Sequence, residues 1–321
     1  MEQAPTQKST AKPAGSFEKK LRYTLRGIVR DRYLYLILLP CFVFYIVFIY
    51  RPMWGLQIAF KDYSPYLGLQ KSPWIGFENF ANFFNGPYFS RTVINTLMLN
   101  IYGLVFAFPA PIILALLMNE IKNRMLKKTI QTIVYLPYFV SVVVVAGIVI
   151  NFLAPTQGII NVIIEKLGGT KEYFMVKPEY FRGIYTAMHI WKDTGFNSII
   201  YIAALSGIDI QLYEACIIDG GNRWKQFLHI TLPGIMPTVI IMLILKLGSM
   251  LDVGYESIIL LYQPATYATA DTISTYVFRV GVLENKYGFA AAVGLFNAVV
   301  ALVLVFISNK ISKRLTDTGL W

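Results

Sequence analysis

Six mostly apolar stretches alternate with polar segments along the chain, at approximately 33–50, 93–118, 130–153, 184–205, 234–254 and 288–307. Each is close to the roughly 20 residues that an α-helix needs to cross the hydrocarbon layer of a bilayer. The pattern predicts an all-α integral membrane protein with six transmembrane helices. No alternation with the strand period of a membrane β-barrel accompanies it. Pro109 and Pro111 fall inside the second stretch and are expected to kink or break it, as packed membrane helices tolerate.

Residues 1–15 are rich in Pro, Ala, Ser, Thr and Lys and hold too little apolar surface to fold. From Phe17 onward, Leu21, Leu25 and Ile28 recur at helical spacing, with Lys19, Lys20, Arg22, Arg26 and Arg30 between them. That is the pattern of an amphipathic helix lying on anionic membrane lipid. Residues 1–32 therefore read as a cytoplasmic tail and interfacial helix, and 33–321 as the membrane domain. A cleaved signal peptide competes with this reading, but no small-residue cleavage site follows Tyr50, where Arg51 and Pro52 come next.

Charge orients the array. Lysines and arginines gather ahead of the first stretch, from Lys122 to Lys128, at Arg223 and Lys225, and from Lys310 to Arg314. These are the segments left in the cytoplasm when the N-terminus is inside, and basic residues are retained there. With six spans both termini are then cytoplasmic. The chain is 56% hydrophobic and 15% charged, against about 25% charged in a soluble domain. Its net charge of +11 does not mark a nucleic-acid binder, because the basic residues flank apolar stretches and do not share one polar domain. Cys41 and Cys216 make no disulfide framework or metal site, and His189 and His229 lack ligand spacing and read as structural or solvated.

The cytoplasmic segment 206–233 is the most informative. Residues 213–219 have helical spacing, Gly220 and Gly221 suit a turn with positive φ, and Asn222 is placed to cap a second helix over 223–230 that Pro233 should end. A helix, a glycine turn and a second helix make a knob able to enter a groove on another protein.

Glu214, Ala215 and Cys216, then Gly220, then Ile230, Leu232 and Pro233 resemble the EAA loop of binding-protein-dependent ABC importer permeases. In that loop Glu-Ala-Ala, three residues, Gly, nine residues and Ile-x-Leu-Pro recur. Cys216 replaces the second alanine with another small residue of similar burial preference. Asp219, Gly221 and Phe227 are similar to the pattern in sugar-transporting members. The likeness extends over about 33–321, and segments 51–68, 252–279 and 309–321 resemble the branch that carries complex carbohydrates, including oligosaccharides that contain uronates. The resemblance implies a type I ABC importer permease fold, with the loop docking on an ATPase. It also implies a second, non-identical permease, an ABC ATPase dimer and an extracellular solute-binding protein that delivers an oligosaccharide. The chain has no Walker-type G-x-x-x-x-G-K-[ST] loop. It is expected to bind no cofactor and to be no enzyme itself, ATP being used by the partner subunit.

Ionisable residues inside a membrane are costly unless they face protein or water, so they point to a pathway. Lys192 and Asp193 lie roughly 12 Å deep in the fourth stretch at helical rise, with Trp191 and Asn197 on the same helix. Lys246 lies near the middle of the fifth stretch, and Asp252 and Glu256 toward its outer end. Adjacent positions point to different sides of a helix, so Lys192 and Asp193 are not expected to pair. Trp191 suits stacking on a sugar ring and interfacial anchoring equally well. The outer-loop aromatics between Trp54 and Phe84 are better explained by packing than by sugar recognition.

Two rivals stand against a permease. A secondary transporter of a small polar solute also carries charges in its spans, but usually shows more spans and internal repeats. A membrane-embedded enzyme needs a catalytic cluster that two isolated histidines do not supply.

Overall fold

The computed structural model describes residues 30–251 and 253–316. The expected polar tail, the interfacial helix up to Val29, and Asp252 lie outside the described residues. Every regular element among the described residues is helical; the one β contact is an isolated bridge between Lys61 and Trp74. By their contacts, residues up to Gln57 form one compact unit and those from Ile58 a second.

Helix α1 (Arg32–Phe60) begins in the first unit. The second unit contains α2 (Phe89–Asn119), α3 (Arg124–Phe139), α4 (Val142–Phe152), α5 (Pro178–Ser206), α6 (Ile210–Ile218), α7 (Arg223–Gly248), α8 (Tyr255–Leu261), α9 (Ile273–Leu283) and α10 (Tyr287–Arg314). By length and composition α1, α2, α7 and α10 each suffice to cross a membrane; the bent pairs α3/α4 and α5/α6 bring the number to six if each is one span.

Helix α5 sits at the centre of the second unit, packed along α2 and against α7, which in turn packs on α10. Leu99, Val145, Tyr185 and Met188 join α2, α4 and α5 in one buried cluster; Ala115, Tyr201, Leu205 and Ile235 join α2, α5 and α7 in another. Val299, Leu302, Val303 and Phe306 of α10 are exposed, an apolar surface of the kind that lipid tails solvate as well as protein does.

The third apolar stretch is not one straight helix. Asn123 starts α3 by accepting from the backbone N–H groups of Met125 and Leu126 at 2.9 and 3.2 Å. After Pro137, Val140 and Ser141 become extended, and the Ser141 hydroxyl caps α4, which leaves α3 at 100°. An extended pair followed by a new cap redirects the chain without leaving the helix start unsatisfied.

Two prolines fail to break their helices as expected. A π turn over Gly103–Ala107 ends with Phe108 N–H bonded to Gly103 O at 2.8 Å, immediately before Pro109. Another over Phe227–Thr231 ends with Leu232 N–H bonded to Phe227 O, immediately before Pro233. The same arrangement closes the π turn Tyr45–Tyr50 through Arg51, ahead of Pro52. The wider turn absorbs the donor that proline lacks. Pro233 therefore does not end the loop helix: α7 runs unbroken from Arg223 to Gly248. It stops short of the predicted 254, and Glu256 belongs to α8, not to the end of the fifth stretch.

Candidate functional site

The loop between α5 and α7 folds as a compact knob. The Asp209 carboxylate accepts from Gln211 N–H at 2.9 Å and starts α6 three residues earlier than spacing predicted. Gly220 adopts φ of 74°, with its N–H on Ile217 O at 3.0 Å, and Gly221 N–H reaches Cys216 O at 2.7 Å. These two bonds close the helix end in the left-handed turn that glycine permits at least cost. Gly221 has no positive φ and is needed for a different reason: a Cβ there would stand 2.2 Å from Cys216 Sγ. Asn222 caps α7 as expected, accepting from Lys225 N–H at 2.9 Å.

Two contacts brace the knob. The Tyr213 and Thr231 hydroxyls meet at 3.0 Å across its two arms. Arg223 Nη1 reaches Glu120 Oε2, beyond the end of α2, at 3.1 Å. Ile217, Ile218 and Trp224 are exposed, as is Glu214. Ala215, Asp219 and Pro233 are also exposed, whereas Phe227, Ile230 and Leu232 are half-buried where α7 enters the helical body. The knob thus offers an apolar surface with a carboxylate beside it.

A cavity of about 410 Å³ lies between α2, α5 and α7, lined by Asn100, Tyr185, His189, Asp193, Asn197 and Lys246 among others. A smaller one of about 340 Å³ is lined by His189, Lys192, Asp193 and Glu256. The structure therefore brings Asp193, Asn197 and Lys246 to one space, and Lys192, Asp193 and Glu256 to the other. Trp191 lines neither and is half exposed.

Asp193 holds the cluster together. Its carboxylate lies 2.9 Å from His189 Nδ1 and 3.6 Å from Lys192 Nζ. The expectation that neighbouring Lys192 and Asp193 stay apart is overturned, because the lysine chain curls back until its ammonium donates to Tyr138 O at 3.3 Å and sits 4.9 Å from that ring. His189 was missed as a site residue, although its i,i+4 spacing to Asp193 is a readable signal. Its Nε2 is buried without a hydrogen-bond partner among the described residues. Asn100, Tyr185 and Tyr201 were missed too; they carry no charge to mark them within apolar stretches.

Residues 107–317 match the family described as binding-protein-dependent transport system inner membrane component. The chain is 44% identical over 297 residues to Protein LplB of Bacillus subtilis (strain 168), a match that covers 92% of this chain and 93% of that one. It is 39% identical over 304 residues to the polygalacturonan/rhamnogalacturonan transport system permease protein YteP of the same organism, over 95% and 94% of the two chains. Among solved structures it is similar to a chain of a bacterial ABC transporter involved in the import of the acidic polysaccharide alginate. That likeness has a TM-score of 0.86 and 47% identity and covers 92% of this chain and 99% of the other. A second crystal structure, of bacterial alginate ABC transporter in complex with alginate pentasaccharide-bound periplasmic protein, matches with a TM-score of 0.85 and 47% identity over the same shares.

Proposed function

Because the chain belongs to the family of binding-protein-dependent transport system inner membrane components, we propose that it carries oligosaccharides across the membrane by coupling the knob to ATP hydrolysis on a partner. It is a multi-pass membrane permease subunit of the ABC importer class and not itself an enzyme. In this reading it has six spans, with both termini in the cytoplasm, α3/α4 and α5/α6 each contributing one. Residues 1–32 are a tail with an interfacial helix, and 33–321 form the permease domain.

The observation that carries the mechanism is that two of the three helices lining the cavity of about 410 Å³, α5 and α7, run directly into the knob. Helix α5 supplies His189, Asp193 and Asn197 and passes through Gly207 to the Asp209 cap of α6. Helix α7 starts inside the knob and reaches Lys246 near its other end, a rigid rod about 39 Å long at helical rise. An ATPase that pushes on Glu214, Ala215, Cys216, Asp219 and Gly220 therefore moves the α5 and α7 walls together against α2. The Tyr213 to Thr231 and Arg223 to Glu120 contacts keep the knob from yielding on its own. Phe227, Ile230, Leu232 and Pro233 transmit the displacement, and Gly221 keeps the turn tight.

Asp193, Asn197, Lys192, Lys246 and Glu256 then supply polar groups for sugar hydroxyls along the pathway, with Trp191 and Asp252 as further candidates. The partners are a second permease, an ABC ATPase dimer and an extracellular solute-binding protein. The oligosaccharide reading is supported by the relatives named for polygalacturonan/rhamnogalacturonan transport and for alginate import.

The decisive experiment purifies the tagged chain from its native membrane. An ATPase subunit is expected to accompany it, to detach when Glu214 is replaced by Arg, and to hydrolyse ATP in step with sugar uptake. Uptake that persists without nucleotide hydrolysis overturns the reading.

A further inference from the structure

The segments that the charge distribution assigns to the exterior enclose another cavity, of about 730 Å³. Its wall carries an excess of positive charge. Arg91 Nη2 and Arg279 Nη2 both bond Asp271 Oδ2, at 2.7 and 2.8 Å, so one fully buried carboxylate serves two guanidiniums. Lys61 lines the same space, is only 8% exposed, and donates to the neutral carbonyl of Leu69 at 2.6 Å. No carboxylate lies within ion-pair distance of it among the described residues. Arg91 Nε is likewise buried with no hydrogen-bond partner among them. At the rim Lys286 is paired with Glu284 at 3.0 Å, and Asp62 is exposed. Four cations thus face three carboxylates, and the surplus charge is the buried one. Tyr88 lies against Arg91 at 4.8 Å from ring centre to guanidinium carbon, and Tyr267 lies against Arg279 at 5.0 Å. These contacts fix the guanidinium planes and set aromatic rings beside them.

A charge buried without its counter-ion is expensive to keep, and at a cavity wall it marks the place of an anionic ligand. We propose that this cavity binds one carboxylate-bearing sugar ring of the incoming oligosaccharide, the carboxylate meeting Lys61 and Arg91 and the ring lying along the tyrosines. The proposal rests on the oligosaccharide importer reading and adds the place in this chain, and the residues, that sense a substrate carboxylate. A neutral sugar would leave Lys61 uncompensated. An acidic one closes the balance with a single carboxylate.

The test uses the assembled importer in nanodiscs without its binding protein. A galacturonate trisaccharide and its neutral methyl ester serve as probes, and ATP-driven uptake of both is followed in parallel in proteoliposomes. The acid is expected to bind at least tenfold more tightly than the ester. Lys61→Gln should erase that ratio and Lys61→Arg should keep most of it. Lys286→Glu, at the exposed rim, reverses the surplus without touching a buried group and should lower the ratio even if Lys61→Gln fails to assemble. Equal binding of acid and ester, or a ratio unchanged by Lys286→Glu and by an assembled Lys61→Gln, overturns the proposal. So does a Lys61→Gln importer that keeps its preference for acid but no longer captures the purified binding protein when this is added in a separate pull-down, since the cavity would then be a protein-docking surface. Uptake without acid preference sinks this inference alone, whereas transport independent of ATP sinks the importer reading beneath it.

Discussion

Gly195 meets Val134 backbone to backbone: a Cβ built on Gly195 would stand 1.8 Å from the Val134 carbonyl oxygen. This is where α5 crosses α3, just before the third stretch bends. Close approach through a small residue is the main route by which helices associate in lipid, where there is no water to drive apolar surfaces together. Gly195→Val must separate two backbones, at a cost of about 1–3 kcal/mol or more. The variant is expected to reach the membrane in reduced amount and to melt at lower temperature in detergent, as size exclusion after heating would show. A wild-type melting point would mean that α3 and α5 do not touch there.

Asp271 is fully buried, and the Thr275 hydroxyl donates to it at 3.1 Å in addition to the two arginines. Burial works against the Arg279 charge, but the Asp271 hydrogen bond and charge outweigh it and hold the guanidinium above its usual range. Asp271→Asn leaves two guanidiniums facing a neutral amide, and breaking a buried ion pair in this way costs about 3–5 kcal/mol. The expected result is a large fall in thermal stability, measured on the purified assembly. An unchanged melting curve would show that the arginines find other partners.

The apolar stretches and the asparagine cap at Asn222 could be read from the residues, because each depends on local spacing; the Asn123 cap was missed. The 100° turn between α3 and α4 could not. Hydrophobicity reports length, not direction, and the chain turns through two extended residues around Ser141. Pro233 misled for a related reason: its effect depends on whether a π turn precedes it, which is a property of the whole helix. The glycine turn was read correctly at Gly220, yet Gly221 owes its identity to Cys216 and not to φ. The outer cavity was invisible because its wall joins residues far apart in the chain, Arg91 and Arg279, held to each other through Asp271.

Asp193 is the shared acceptor of His189 and Lys192, and it lines both inner cavities. Asp193→Asn keeps the size and removes the charge that orients the two neighbours. Hydrogen bonds to charged groups are worth about 1.5–3 kcal/mol, so sugar uptake should fall roughly tenfold or more at an unchanged amount of assembled complex. Uptake in proteoliposomes and ATPase co-purification, measured on one preparation, separate the two quantities. Full uptake by this variant would remove the cluster from the pathway.

Pro233 offers a test of coupling that leaves Glu214, Ile217, Ile218 and the glycine turn in place. The π turn Phe227–Thr231 ends on Leu232, and the residue after it has no N–H to give. Pro233→Ala restores that donor, and a regular helix through 229–233 becomes possible. Removing one residue's worth of excess turn rotates residues 223–227 by about 100° relative to the rest of α7. The Thr231 hydroxyl then leaves Tyr213, now 3.0 Å away, and Arg223 swings away from Glu120. The knob keeps Glu214 and the glycine turn, so the ATPase should still bind, but its push no longer reaches α5 and α7 together. The expected outcome is normal co-purification with an ATPase that consumes several times more ATP per sugar imported. An unaltered ratio of hydrolysis to uptake, with the π turn shown to be lost, would mean that force reaches the cavity by another route.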